Sequence, residues 1–286
     1  MVDAMRAHWP EYLIEAALLG SFMVSACVSV ALIEHPASPI RRRVRSALAR
    51  RGLIGAAMGA TAVVLILSPW GARSGAHMNP ATTLAFFLLG KVDGADAAWY
   101  VVAQCVGGLA GVYACELAMP RVIRHPTVAH VVTTPRSARG ASGLAWIAEC
   151  ALAMGMMLTA LVLSNWPGHE QLTPYAAGLL LVLFITFEAP ISGMSINPAR
   201  TLASAIPSGT YTGLWIYLTA PVVGMIAAAG LFGASTGPGG AACAKLNHTG
   251  AHRCIFRCNL ETNPGAGHVA PLISTRPELP SDIQQP

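Results

Sequence analysis

The sequence predicts an all-α membrane protein with six transmembrane helices and two half-helices arranged as an inverted repeat. Three observations carry this expectation: a charge-poor, apolar composition, six long apolar runs, and one short motif that occurs twice. Of 286 residues, 54% are hydrophobic and only 11% charged, whereas a soluble domain carries about 25% charged residues. So few charges could not cover a soluble protein of this size, which would expose large apolar patches and aggregate. The same scarcity excludes a disordered chain and a coiled coil. The net charge is +5, but the basic residues are clustered and few aromatics interleave with them. That pattern excludes nucleic acid as the expected partner and leaves the lipid bilayer.

Six runs are apolar enough to be spans: roughly Tyr12–Ile33, Ala47–Leu67, Ala97–Met119, Ser142–Leu163, Tyr175–Pro190 and Tyr211–Phe232. A hydrocarbon core of about 30 Å needs about 20 helical residues, which most runs supply and the fifth falls short of. The first reads as a span rather than a cleavable leader, since its apolar core is too long and only Arg6 precedes it. None alternates polar and apolar residues with period two, as a membrane barrel would. Two further apolar pieces, Pro80–Leu89 and Pro198–Ile206, would each cover only about 15 Å as helices. Irregular backbone at membrane depth survives only where protein buries it or a cavity wets it. Two half-helices therefore point to a polar path near the midplane.

Near copies introduce the two pieces. One reads Ser74-Gly75-Ala76-His77-Met78-Asn79-Pro80-Ala81, the other Ser192-Gly193-Met194-Ser195-Ile196-Asn197-Pro198-Ala199; five of eight positions agree, at an offset of 118. Glu15 and Glu149, each early in an apolar span, match more weakly at an offset of 134. The chain thus divides into a first membrane repeat (1–119, with half-helix 80–89), a second (120–233, with half-helix 198–206) and a polar C-terminal tail (234–286). Three spans per copy is an odd number, so the second copy enters the membrane inverted. Inverted repeats place a site at their interface, near the midplane.

Asn is a favoured helix N-cap and Pro is favoured at the first helical position. One such triplet is simply a capped helix; two, each opening a half-span, suggest more. If the Asn79 and Asn197 side-chain oxygens cap their helices, both amide groups are left to donate into the lumen. Two positive helix ends then meet at one point. A passing water would offer its oxygen to both donors and turn its hydrogens away in both directions, which interrupts a proton wire. Cations are disfavoured by the same helix ends. Arg200 follows the second triplet, where the first has Thr82. A charge in a membrane segment is costly and usually functional; its alternative is a snorkelling interfacial side chain. The asymmetry favours a role at one mouth of the path.

With these features the sequence resembles the aquaporin or major intrinsic protein family, in its bacterial type, over about residues 10–233. The Ser-Gly before each box, the buried Glu15 and Glu149, and Gln104-Cys105-Val106-Gly107 also look like family features. The resemblance implies six tilted helices and two half-helices, a pore in each subunit, a homotetramer in the cell membrane, and passive permeation of water or small neutral solutes such as glycerol, without a cofactor. It implies carbonyls lining the path at Gly75, Ala76, His77, Gly193, Met194 and Ser195, with Glu15 and Glu149 holding those loops by accepting hydrogen bonds. It also implies a selectivity filter of Arg200, Met194, Ile185 and a second-span residue. Counting back from Asn79 gives Gly59; one inserted residue would give Met58. Gly59 also belongs to Gly55-x-x-x-Gly59, a close helix-packing pattern. Water-selective members usually have Phe and His at the two span positions, and glycerol facilitators Trp, Gly and Phe. This sequence has neither set, and its Pro190-Ile191-Ser192-Gly193 is more similar to plant nodulin-type and related bacterial members.

Two other function classes compete. A secondary transporter can also be built from broken helices in inverted repeats, but it usually needs an ion-binding or protonatable cluster at the midplane. An enzyme would need a nucleophile–base pair or a His/Glu metal set in the spans, and none is visible. Arginines cluster in the first connection (Arg41, Arg42, Arg43, Arg45, Arg50, Arg51) and in the third-to-fourth, on the face opposite the termini. Positive-inside reasoning makes that face cytoplasmic, while the family resemblance implies cytoplasmic termini. The tail carries Cys243, His248, His252, Cys254 and Cys258. These could supply four soft ligands to Zn²⁺, although the spacing fits known zinc motifs only loosely; free thiols are the alternative.

Overall fold

Serine, asparagine and proline punctuate the apolar runs, and the helices begin where they do. The computed structural model describes residues 1–135, 141–237, 240–248 and 253–260. In chain order the helices are α1 (Val2–Glu34), α2 (Pro39–Arg43), α3 (Ala47–Leu67), α4 (Pro69–Ser74), α5 (Pro80–Leu88), α6 (Gly94–Ala118), α7 (Pro120–Ile123), α8 (Ala141–Ser164), α9 (Thr173–Phe187), α10 (Ala189–Ser192), α11 (Pro198–Ser208) and α12 (Leu214–Thr236). Ser46, Ser68, Asn79 and Asn197 stand in extended backbone before α3, α4, α5 and α11, and each side chain accepts a backbone N–H of the first turn. Proline opens the last three of these, where its missing N–H costs nothing.

Among the described residues, six helical stretches are long and apolar enough to cross a membrane. The fifth, short in the sequence, gains length because a 3-10 turn at Glu170–Leu172 and α10 continue α9 at its two ends. The first begins well before the expected Tyr12. Its polar start is held against α6: His8 Nδ1 lies 2.8 Å from Asp96 Oδ1, the Tyr12 hydroxyl donates to the same oxygen at 2.5 Å, and Trp99 Nε1 donates to the Met1 carbonyl at 3.2 Å. The two half-helices, α5 with 9 residues and α11 with 11, remain too short to span. The first arginine-rich connection is tied down as well. Arg50 is buried, donating to Glu34 at 2.9 Å and to the carbonyls of Val44 and Arg45 at 3.0 and 2.8 Å.

Three close helix pairs build the body: α1 on α6, α8 on α12, and α3 on α9. Glycine allows each approach. A Cβ at Gly107 would lie 2.0 Å from the Ala16 carbonyl oxygen, one at Gly224 2.2 Å from that of Cys150, and one at Gly59 2.5 Å from that of Gly178. Small residues bring backbones together where lipid offers no hydrophobic drive between helices. The described part of the expected polar tail, 240–248 and 253–260, is not separate from this body. Ala244 and Lys245 are 0% and 1% exposed, and the segment after α12 folds back against the loop before α5.

Gly107→Leu should force α1 and α6 apart and destabilise the protein by roughly 1–3 kcal/mol or more. Gly155→Ala, where a new Cβ meets nothing within 4 Å, should stay within about 0.5 kcal/mol of the parent. Thermal unfolding in detergent reads both, and equal midpoints would rule out the close crossing.

Candidate functional site

Each loop that leads into a half-helix is held by one buried carboxylate. Glu15, on α1, accepts from the Ser74 hydroxyl at 2.8 Å, from the backbone N–H groups of His77 and Met78 at 3.0 and 2.7 Å, and from Gln104 Nε2 at 2.9 Å. Glu149, on α8, accepts from the Ser192 hydroxyl at 2.6 Å and from the N–H groups of Ser195 and Ile196 at 2.8 and 2.6 Å. Both glutamates are fully buried. A tyrosine completes each set: Tyr100 donates to the Ser74 carbonyl at 2.7 Å, and Tyr217 donates to that of Ser192. These tyrosines were missed in the sequence, although their separation of 117 nearly repeats the box offset.

The loops share an unusual backbone. Gly75, Ala76 and Met78 have φ of +95°, +55° and +49°; the equivalent Gly193, Met194 and Ile196 have +93°, +52° and +47°. Non-glycine residues rarely adopt this left-handed region. The carboxylate bonds pin the N–H groups on either side and hold it in place.

The asparagines do two things. Asn79 Oδ1 accepts from Ala81 N at 2.9 Å, and Asn197 Oδ1 from Arg200 N at 3.2 Å, as caps should. Each amide nitrogen also crosses to the opposite box: Asn79 Nδ2 donates to the Ile196 carbonyl at 2.8 Å, and Asn197 Nδ2 to that of Met78 at 2.7 Å. The expectation that the whole amide faces the lumen is thereby corrected. One hydrogen clamps the two half-helices together, and one remains on each amide.

A cavity of about 500 Å³ passes both boxes. Ala76, His77, Met78 and Asn79 line it on one side, and Gly193, Met194, Ser195, Ile196 and Asn197 on the other. Gly75 is not among the lining residues; its carbonyl accepts from Leu246 N at 3.1 Å. Spans α3 and α9 contribute Ile54, Met58, Ala62 and Ile66, and Ala177, Leu181 and Ile185. Gly59 is pressed against α9 instead, so it packs helices and does not face the cavity. A count along the chain missed this by one residue, because it carries no information on how α4 bends the path between α3 and the box. Met58 faces the cavity together with Ile185, Met194 and Arg200. Arg200 Nη1 is buried there with no hydrogen-bond partner among the described residues, while Thr82, its counterpart, donates to Met225 Sδ at 3.3 Å.

Equivalent glycines in the two loops are covered by different segments. A Cβ at Gly193 would lie 2.9 Å from the Thr134 carbonyl oxygen, in the connection after α7. One at Gly75 would lie 2.8 Å from Phe256 Cε2, in the C-terminal segment. That segment gathers Cys243, His248, Cys254 and Cys258, whose ligand atoms all lie within 4.8 Å of one another. His252, the fifth candidate ligand, lies outside the described residues. Hydrogen bonds from Cys243 and Cys254 hold the Cys258 thiol far below its ordinary pKa. Hydrogen bonds to Cys254 and Cys258 push His248 up to about 9.

The sequence profile described as Major intrinsic protein matches residues 5–232. The chain is 34% identical over 178 residues to Aquaporin NIP2-2 of Zea mays, covering 61% of this chain and 57% of that protein. It is 29% identical over 233 residues to Aquaporin A of Dictyostelium discoideum, covering 79% and 74%. The chain therefore spans little more than half the length of the maize relative. The fold resembles the X-ray structure of the aquaglyceroporin from Plasmodium falciparum, with a TM-score of 0.66 at 20% identity over 79% of this chain and 95% of that one. With its six spans, two facing half-helices and a profile match across nearly the whole membrane body, the chain belongs to the major intrinsic protein family.

Proposed function

We propose that the protein is a passive channel for water and small neutral solutes, working in the cell membrane as a homotetramer with one pore per subunit. The observation that carries this reading is the pair of box asparagines. Each is fixed by a cap and a cross-bond, and each keeps one N–H beside the same cavity. A water at the junction of the boxes accepts both hydrogens with its oxygen, so its own hydrogens point up and down the path and no proton wire passes. The N-terminal ends of α5 and α11 add positive potential at that point, which disfavours cations. The unpaired Arg200 Nη1 offers a further donor to a passing hydroxyl or water and repels cations at the filter. Transport of this kind needs no cofactor.

A secondary transporter is less well supported. Glu15 and Glu149 are taken up by loop N–H groups, Glu188 accepts from the Ser192 N–H and hydroxyl, and no Asp or Glu is among the described residues lining the cavity. In the C-terminal segment, Cys243, His248, Cys254 and Cys258 are a fitting set for Zn²⁺. Tetrahedral bonds of about 2.0–2.3 Å put neighbouring ligands roughly 3.3–3.8 Å apart. Cys243 Sγ and Cys254 Sγ lie 3.5 Å apart, and Cys258 Sγ and His248 Nε2 lie 3.3 Å apart.

Osmotic shrinkage of proteoliposomes without an ion gradient tests the channel; strict dependence on a proton or sodium gradient would overturn it. Asn79→Asp and Asn197→Asp keep the cap but remove the donors. Each should lower water flux or admit cations, and two variants with unchanged flux and ion exclusion would refute the two-donor account.

Glu149→Gln leaves one acceptor oxygen and sets an amide NH₂ against one of the two backbone donors. The expected loss is roughly 3 kcal/mol, from a charge-assisted bond and an unsatisfied buried N–H, together with lower water flux. A variant as stable and as permeable as the parent would remove the carboxylate from its supporting role.

The filter reading concerns Met58, Ile185 and Met194, which leave the opening beside Arg200 apolar. The parent should pass water and also glycerol-sized or smaller neutral solutes. Ile185→His should cut solute flux more than water flux. If the parent already excludes glycerol, urea and ammonia, the filter is narrow and the flexible Met58 and Met194 side chains fill it.

A further inference from the structure

The C-terminal segment meets the channel wall itself, at the loop that precedes the first box. His77, a lining residue, has its Nε2 2.8 Å from the Ala244 carbonyl oxygen, and its ring stacks on Phe256 with centroids 5.4 Å apart. Leu246 N donates to the Gly75 carbonyl at 3.1 Å, and Leu246 is among the residues lining the cavity. Arg257 N donates to the Lys91 carbonyl at 2.9 Å, just beyond α5.

The four Cys/His ligands bracket these contacts. Cys243 and His248 flank the stretch with Ala244 and Leu246; Cys254 and Cys258 flank Phe256 and Arg257. A single ion would therefore cross-link both docked stretches. Their own contacts with the body are the buried Ala241, Ala244 and Phe256, the packing of Phe256 on His77 and Tyr100, the Arg257–Asp93 ion pair and a few hydrogen bonds, and the ordering of the segment opposes them. Metal binding in such small sites supplies much of the folding free energy of the segment it ties together.

We infer that the zinc-loaded C-terminal segment is a gate: it holds Leu246 in the channel mouth on the first-box side, and loss of the metal releases it. The inference rests on the zinc reading above and adds a transport consequence to it. Each ligand lies outside the membrane spans, and release would remove the contacts to Gly75 and His77 while leaving the Glu15 bonds to the same loop in place.

The test uses the full-length protein in proteoliposomes, with zinc content measured by elemental analysis and water flux by osmotic shrinkage. The expected result is about one zinc per chain, and a rise in flux when a strong zinc chelator is present on both sides. Where the loaded segment is docked in at least half of the channels, release raises flux about twofold or more, because permeability scales with the open fraction. Cys258→Ser should lose zinc and show the high flux without chelator. Leu246→Ala should keep zinc yet show higher flux, which separates the gate from the metal. Zinc bound with flux unchanged by chelator and by Leu246→Ala would overturn the gate and leave the metal site standing. A fall in flux on chelation would also overturn it, and make the segment a support for the loop. Absence of zinc from the purified and zinc-supplemented protein would remove the metal site and the gate together.

Discussion

A helix that stops in the middle of a bilayer leaves backbone N–H groups where no lipid can accept them, and this chain meets that constraint twice with a buried carboxylate. Glu15 and Glu149 each reach from the first span of their half to the loop before a half-helix and take two backbone N–H groups and a serine hydroxyl. An unsatisfied buried group costs about 1–3 kcal/mol. Several per loop would exceed what a protein can lose, since total stability is only about 5–15 kcal/mol. The left-handed turns, the direction of the lining carbonyls and the meeting of the two boxes all follow from those bonds.

Once the loops are fixed, the asparagines join them. Because Asn79 bonds the loop of the second box and Asn197 that of the first, neither half-helix can shift without breaking a bond to the other. The cross-bonds also fix which amide hydrogen remains beside the cavity. The same side chain thus caps its own half-helix and ties it to the other.

The two halves share a frame and differ in what covers it. Arg200 in one half faces Thr82 in the other, so the charged donor stands on one side of the boxes only. At the equivalent glycines, one loop lies under the connection after α7 and the other under the C-terminal segment with its Cys/His cluster. Any property that differs between the two ends can only reside in these unshared parts.

Most of the fold was legible in the sequence, because apolar length and proline position are local properties. The spans, the half-helices and the roles of Glu15 and Glu149 could be read from run lengths, offsets and family likeness. The box asparagines were identified, but their cross-bonds were not, since a donor's partner more than 110 residues away leaves no local trace. Met58 displaced Gly59 for a related reason: which of two neighbours faces a cavity depends on how helices cross, and only the packing of Gly59 on Gly178 decides it. The C-terminal segment read as a separate polar tail because glycine, proline and charge say nothing of docking. Its burial against His77 and Gly75, and the convergence of Cys243, His248, Cys254 and Cys258, depend on contacts between distant parts of the chain. The sequence by itself determined where helices start, stop and fall short of spanning, because those follow from local chemistry; the tertiary structure alone decided which atoms face the cavity and what covers the two box loops.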